Sequence, residues 1–241
     1  MIHWLLQTRA AHPDLARGVP PVRLLSAAET AVFNALKTEK RRRDWLLGRW
    51  TAKQLIQTVV KQEKNVAIAL EDFSILAGAD GAPIINSQWP IVNGQWSISI
   101  SHARETAFCA LVEQPSWPIG ADIEWIEPRS ERFVTDYFTK VEQALIAETR
   151  SERRDLLVTA VWSAKEAALK AIHQGLKVDT RCVTCLPNLA MTDDDWMPFV
   201  MQWDPRRIQN PPTLHGWWRQ HNNFVLTITA QPKQLVRSIF Q

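Results

Sequence analysis

The 241-residue chain predicts an α+β protein built from two similar α+β halves. Trp50-Thr51-Ala52-Lys53-Gln54 returns as Trp162-Ser163-Ala164-Lys165-Glu166, a period of about 112 residues that marks duplicated domains rather than a solenoid. Arg41-Arg42 and Arg153-Arg154 keep the same register. Upstream of each copy a capping box precedes an amphipathic stretch, Ser26 to Glu29 and Thr139 to Glu142, which predicts a helix start. Downstream of each copy lies a pair of alternating apolar runs, the pattern of paired strands.

Taken in order, the first half opens on the apolar stretch at Met1 to Leu6, then the capping box, then the helix around Trp50. Phe73 to Leu76 and Pro83 to Ile85 read as short strands joined by a turn over Ala77 to Gly81, where Asp80-Gly81 supplies the turn chemistry. Trp96 to Ser101 and Thr106 to Val112 alternate as strands. Pro115 and Pro118 interrupt that pattern, so the boundary falls in Glu113 to Pro118 and the halves are 1–116 and 117–241. In the second half, Asp122 and Glu124 lie in a strand behind the apolar run Trp117 to Ile119. The Ala-rich segment Trp162 to Lys170, free of Gly and Pro, is a helix. Leu214 to Trp218 and Phe224 to Thr229 are the paired strands, and the tail from Gln231 is peripheral.

Composition narrows the function. With 46% hydrophobic and 22% charged residues the chain reads as a soluble globular protein. A net charge of +3, from 28 basic against 25 acidic residues, is too even for a general nucleic-acid binder. The N-terminus lacks a signal-peptide pattern and no stretch approaches the roughly 18 apolar residues of a membrane span. Cytoplasmic location, with no membrane and no nucleic-acid partner, is the expectation. Cys182 and Cys185 have zinc-like spacing without a second pair, so they and Cys109 read as reduced structural residues. Asp193, Asp194 and Asp195 cannot share one face and lack the rest of a calcium loop, so they read as a solvated turn.

The chemistry concentrates in the second half. In a strand Asp122 and Glu124 point to one face while Ile123 points into the core. Glu166 and Lys170 share a helix face. Three carboxylates with open positions suit magnesium, which keeps several waters and takes its remaining ligands from substrate phosphates. Where the second helix carries Glu166 the first carries Gln54, so one metal site per chain is expected, at the seam between the halves.

Leu47-Gly48-Arg49 followed by Lys53, then Gly81-Ala82-Pro83, Ser99-Ile100-Ser101-His102, the Asp122/Glu124 strand, the Trp162 to Lys170 helix and Gly175-Leu176 occur in that order. With this set the chain resembles the 4'-phosphopantetheinyl transferases of the surfactin-synthetase-activating type, over most of its length. The resemblance implies a pseudo-twofold arrangement of the two α+β halves. It also implies Mg2+-dependent transfer of 4'-phosphopantetheine from coenzyme A to a serine of an apo acyl or peptidyl carrier protein, releasing adenosine 3',5'-bisphosphate, as in a holo-[acyl-carrier-protein] synthase. Asp122, Glu124 and Glu166 would bind the metal; Glu166 would take the serine proton and Lys170 would face the phosphates. Coenzyme A would meet Arg42, Arg49 and Lys53 on one helix face, Ser101 and His102 at a strand end, and Gly81 and Pro83 at the adenine. Ala82 stands where the family usually has Lys, so that side-chain contact is missing. Tyr137 and Phe138 match the region that meets the carrier, and a pseudo-dimer of this kind implies a monomer. Two alternatives remain from the residues: another magnesium-dependent nucleotide phosphohydrolase, against which the missing P-loop counts, and a binding-only homologue.

Overall fold

The computed structural model describes residues 1–189, 195–231 and 236–238. The acidic turn expected at Asp193 and Asp194 and the tail after Gln231 other than 236–238 lie outside the described residues. The chain forms two compact units, residues 1–117 with 236–238 and residues 118–231.

Unit 1 runs β1 (Ile2–Thr8), α1 (Pro13–Arg17), α2 (Ala27–Ala35), α3 (Glu39–Lys64), β2 (Phe73–Ala77), β3 (Pro83–Ser87), β4 (Ser97–Ala103) and β5 (Thr106–Val112). Thr38 caps α3 by accepting from the Arg41 amide, and Asn65, at φ 55°, closes it in the left-handed conformation. The helix buries Leu46, Leu47, Leu55, Ile56, Val59 and Val60 against the strands, and each such side chain contributes about 1.5–3 kcal/mol. Among the described residues the main sheet has the order β11 (Val236–Ser238), β1, β5, β4, and β2 and β3 form a separate hairpin. The expected peripheral tail is corrected here: β11 (Val236–Ser238) pairs in parallel with β1.

Unit 2 runs β6 (Ile119–Trp125), α4 (Glu131–Tyr137), α5 (Lys140–Glu148), α6 (Ser151–Ala171), β7 (Val183–Pro187), β8 (Met197–Trp203), β9 (His215–His221) and β10 (Phe224–Ala230). Among the described residues its sheet is antiparallel in the order β6-β10-β9-β8-β7. The long helix α6 buries Leu157, Val158, Val161, Ala164, Ala168 and Leu169. None of the described helices is long and apolar enough to cross a membrane.

The two units share a strand frame. In unit 1, β1 pairs end to end with β5 and Leu5 faces Cys109 at mid-strand. In unit 2, β6 pairs end to end with β10 and Asp122 faces Thr227 at mid-strand. Leu5 and Gln7 therefore correspond to Asp122 and Glu124.

They also share a buried ion pair. Lys53 Nζ donates to the carbonyls of Leu24 (3.1 Å), Leu70 (2.6 Å) and Phe73 (2.6 Å) and lies on Glu29. Lys165 Nζ donates to the carbonyls of Thr180 (2.9 Å) and Val183 and lies 2.9 Å from Glu142. Glu29 and Glu142 are the capping-box residues read from the sequence, and both boxes form. Each glutamate also accepts a strand amide, from Ile75 at 3.0 Å and Cys185 at 2.7 Å. One carboxylate thus starts a helix, neutralises a buried ammonium and anchors a strand. Cys109, Cys182 and Cys185 are buried free thiols, and burial pushes Cys109 and Cys185 well above the usual thiol range.

Candidate active site

The strand β6 approaches α6 backbone to backbone because of one residue. A Cβ on Gly120 would sit 1.8 Å from the Ala167 carbonyl oxygen, so only glycine permits this separation. That approach lays the β6 carboxylates against the α6 side chains. Ile123 is buried on the other face of the strand.

Asp122, 3% exposed, is held at both oxygens. Oδ1 accepts from Lys170 Nζ at 2.6 Å, and Oδ2 accepts from Ser163 Oγ at 2.8 Å. Lys170 also donates to the Ala121 carbonyl at 3.2 Å. Glu124 accepts from the Trp162 indole N–H at 3.1 Å on Oε1 and from Arg129 at 3.4 Å on Oε2. Burial, reinforced by Asp122, pushes both Glu124 and Glu166 up to about 7; Arg129 and Trp162 oppose the rise at Glu124, and Lys170 opposes it at Glu166. The three carboxylates therefore feel one another's charge, the condition a bound cation relieves.

The sequence predicted a three-carboxylate metal set. Among the described residues no group of three or more His, Cys, Asp or Glu side chains converges to hold a metal by itself. The physical reason is that the cations Lys170 and Arg129 already take one oxygen each of Asp122 and Glu124. The residues still fit magnesium: all are hard oxygen donors in mutual repulsion, and the ion needs only one or two protein carboxylates beside water and phosphate.

The expected coenzyme A residues behave differently from one another. Lys53 is corrected: it is 0% exposed and committed to three carbonyls and Glu29, so its ammonium is structural. The basic face runs from solvent into the core along α3, which spacing alone does not reveal. Arg42, at the outer end, donates to the carbonyls of Leu36 (2.8 Å) and Asn34 (3.3 Å) and closes α2. Arg49, between them, stacks its guanidinium 4.6 Å from the Trp45 ring and lies 3.8 Å from Glu29. Desolvation pulls Arg49 below the usual guanidinium range.

Gly81, at φ 93°, shapes the Gly78–Ala82 turn, which closes with the Gly78 amide on the Ala82 carbonyl at 2.8 Å, and Pro83 begins β3. Ser101 and His102 lie near the end of β4. His102 lines a cavity of about 560 Å³ together with Arg9, Lys40, Arg43 and Arg104, balanced by Glu39, Asp44 and Glu105. Arg9 pairs there with Asp44 at 3.0 Å and Glu105 at 2.7 Å. The turn residues Arg104 and Glu105 both have positive φ, as a type I′ hairpin turn requires.

Tyr137 is 41% exposed, whereas Phe138 is 0% exposed and packs with Val134, Ile146 and Val161. Phe138 is thus a core residue, which corrects its expected place on the carrier-facing surface. Thr227 and Arg129 were not singled out from the sequence, and Trp162 and Ser163 were read there as part of the repeat and its helix without a role at the carboxylates. The repeat held the available signal, since Trp162 and Ser163 stand where Trp50 and Thr51 stand in unit 1.

Residues 118–229 match the family model of the 4'-phosphopantetheinyl transferase superfamily. Among solved structures, a holo-(acyl-carrier-protein) synthase from Bacillus anthracis in complex with coenzyme A (3',5'-ADP) is similar at 19% identity over 46% of this chain and 91% of that one, TM-score 0.37. The Thermotoga maritima holo-[acyl-carrier-protein] synthase is similar at 20% identity over 57% and 74%, TM-score 0.36. The Helicobacter pylori enzyme, in complex with coenzyme A, is similar at 19% identity over 46% and 98%, TM-score 0.34. No curated protein matches the chain significantly.

Proposed function

Through residues 118–229 the chain belongs to the 4'-phosphopantetheinyl transferase superfamily, and on that premise we propose that it transfers 4'-phosphopantetheine from coenzyme A to a serine of an apo acyl or peptidyl carrier protein. The observation that carries this reading is the Asp122, Glu124, Glu166 and Lys170 constellation inside the matched segment, with Lys170 2.6 Å from Asp122. The serine oxygen forms a bond to the β-phosphorus while the bond to the bridging oxygen breaks, and adenosine 3',5'-bisphosphate leaves.

Such a transfer asks the protein for positioning and charge stabilisation rather than covalent chemistry. Asp122, Glu124 and Glu166 would hold Mg2+, which when bound neutralises pyrophosphate charge. Glu166 would also be the group that accepts the serine proton. Lys170 would move from Asp122 onto the leaving phosphate oxygens. Coenzyme A would engage Arg49, Ser101, His102, Gly81 and Pro83, and the basic side chains of the His102 cavity would favour its 3'-phosphate. The same reading would place the enzyme in the cytoplasm as a monomer, and light scattering checks the oligomeric state.

Intact-protein mass spectrometry of an apo acyl and an apo peptidyl carrier protein, each incubated with this protein, coenzyme A and Mg2+, tests the proposal against an EDTA control. A metal-dependent gain of one phosphopantetheine on either carrier is expected. Coenzyme A hydrolysis without carrier modification would instead favour a phosphohydrolase.

A further inference from the structure

Consecutive residues of α6 address the two β6 carboxylates separately. Trp162 Nε1 donates to Glu124 Oε1 at 3.1 Å, and Ser163 Oγ donates to Asp122 Oδ2 at 2.8 Å. Ser163 and Thr227 are fully buried. Thr227, opposite Asp122 across the sheet, donates its hydroxyl to the Ser163 carbonyl at 2.9 Å and lies 2.8 Å from Ser163 Oγ. A hydroxyl carries one proton. With that of Thr227 directed to a carbonyl, that of Ser163 is left for the carboxylate, which accepts only.

The chain contains its own control. In unit 1, Trp50 and Thr51 hold the same places on α3, while Leu5 and Gln7 stand where the carboxylates would be. Trp50 Nε1 and Thr51 Oγ1 are buried without a hydrogen-bond partner among the described residues. The Trp-Ser/Thr pair therefore packs in this fold even where its donors are unmet, although unmet donors cost stability. What the pair does in unit 2 beyond packing is to fix two carboxylates.

We propose that Trp162 and Ser163 are positioning residues that set the orientations of Glu124 and Asp122 for the divalent cation, an inference that rests on the metal-dependent transferase reading. Hydrogen bonds of this kind, from outside the ligands themselves, hold the ligands in productive geometry, and losing them lowers metal affinity by about 10- to 100-fold. Each residue fixes a different carboxylate. Trp162 leaves Glu124 Oε2 to Arg129, and Ser163 leaves Asp122 Oδ1 to Lys170.

The test uses Mn2+ as a carboxylate-compatible probe, titrated into the full chain without substrates and followed by the loss of the free-ion paramagnetic resonance signal. Trp162→Phe and Ser163→Ala should each weaken Mn2+ binding about tenfold and raise the Mg2+ concentration for half-maximal transfer, with KM for the carrier unchanged. Ser163→Thr should retain wild-type affinity, because unit 1 accommodates threonine at the corresponding place, and Trp50→Phe and Thr51→Ala should leave it unaltered. Thermal midpoints of all five variants separate folding from binding. Mn2+ affinities in Trp162→Phe and Ser163→Ala equal to those of their unit 1 counterparts would overturn the positioning role while wild-type transfer stands. A wild type that binds Mn2+ but transfers nothing would sink the transferase reading and leave the positioning role to be decided by the same titrations. A wild type that does neither overturns both.

Discussion

Lys53 and Glu29 form an ion pair in which neither side chain reaches solvent, and Lys165 and Glu142 repeat it in the second unit. Removing one member strands the other. Lys53→Met should destabilise unit 1 by about 3–5 kcal/mol, while the double variant Lys53→Met with Glu29→Leu should recover part of the loss. Denaturant unfolding of the three proteins measures this. The folded fraction of Lys53→Met should keep its KM for coenzyme A; a large rise in KM would return Lys53 to the ligand.

Gly120 lets β6 meet α6, and a methyl group there has no room beside the Ala167 carbonyl. Gly120→Ala should cost at least about 3 kcal/mol, because neighbouring backbone cannot yield as a side chain does. The same shift draws Asp122 away from Ser163 and Lys170, so transfer should fall with stability. Thermal unfolding and the mass-spectrometric assay would show both losses together; a stable, active alanine variant would contradict the close approach.

Glu166→Gln keeps the shape of the side chain and removes its basicity. Transfer should drop by at least about 100-fold with an unchanged circular dichroism spectrum. Near-normal turnover in the folded variant would exclude Glu166 as the base.

Metal-free stability should decline as pH rises through neutrality. Glu124 and Glu166 ordinarily titrate at 4.5 and are pushed up to about 7 in the fold, so the folded protein binds their protons more tightly than the unfolded chain does. Their contribution is full below about pH 4.5 and is lost as pH rises through about 7. Thermal midpoints in EDTA between about pH 5 and pH 8 should trace that loss, and Mg2+ should reduce it by offsetting the carboxylate charge. Identical pH profiles with and without Mg2+ would argue that these carboxylates do not meet the ion.

Neighbouring aromatics on α4 and its cap should separate into surface and core. Phe138→Ala opens a cavity among Val134, Ile146 and Val161 and should cost about 3–5 kcal/mol. Tyr137→Ala should leave stability nearly unchanged and raise KM for the carrier protein several-fold. Unchanged carrier kinetics in Tyr137→Ala would remove that residue from the docking surface.

Local chemistry made much of this legible in advance. The capping boxes at Ser26 and Thr139 start helices by bonds within one turn, and the hairpins around Arg104 and Asn222 follow from alternation and short loops. The repeat at Trp50 and Trp162 disclosed two similar α+β units, and strand parity put Asp122 and Glu124 on one face. Spacing also put Glu166 and Lys170 on one helix face. What spacing could not rank was depth. Arg42, Arg49 and Lys53 share a helix stripe, but Leu24, Glu29 and the segment leading into β2 enclose only its inner end, so one cation stays at the surface and another sits at 0% exposure. Tyr137 and Phe138, adjacent in sequence, divide between solvent and core for the same reason. The Trp162–Glu124 and Ser163–Asp122 hydrogen bonds join residues far apart in the chain. The sequence by itself determined the two capping boxes, the strand pairs that follow each copy and the duplication, and it nominated the side chains proposed to react, because these rest on local periodicity and residue chemistry. Only the tertiary structure decided which charges are buried as structural pairs and which donors hold the carboxylates, because burial and long-range pairing arise when Gly120 and the packed strands bring those elements together.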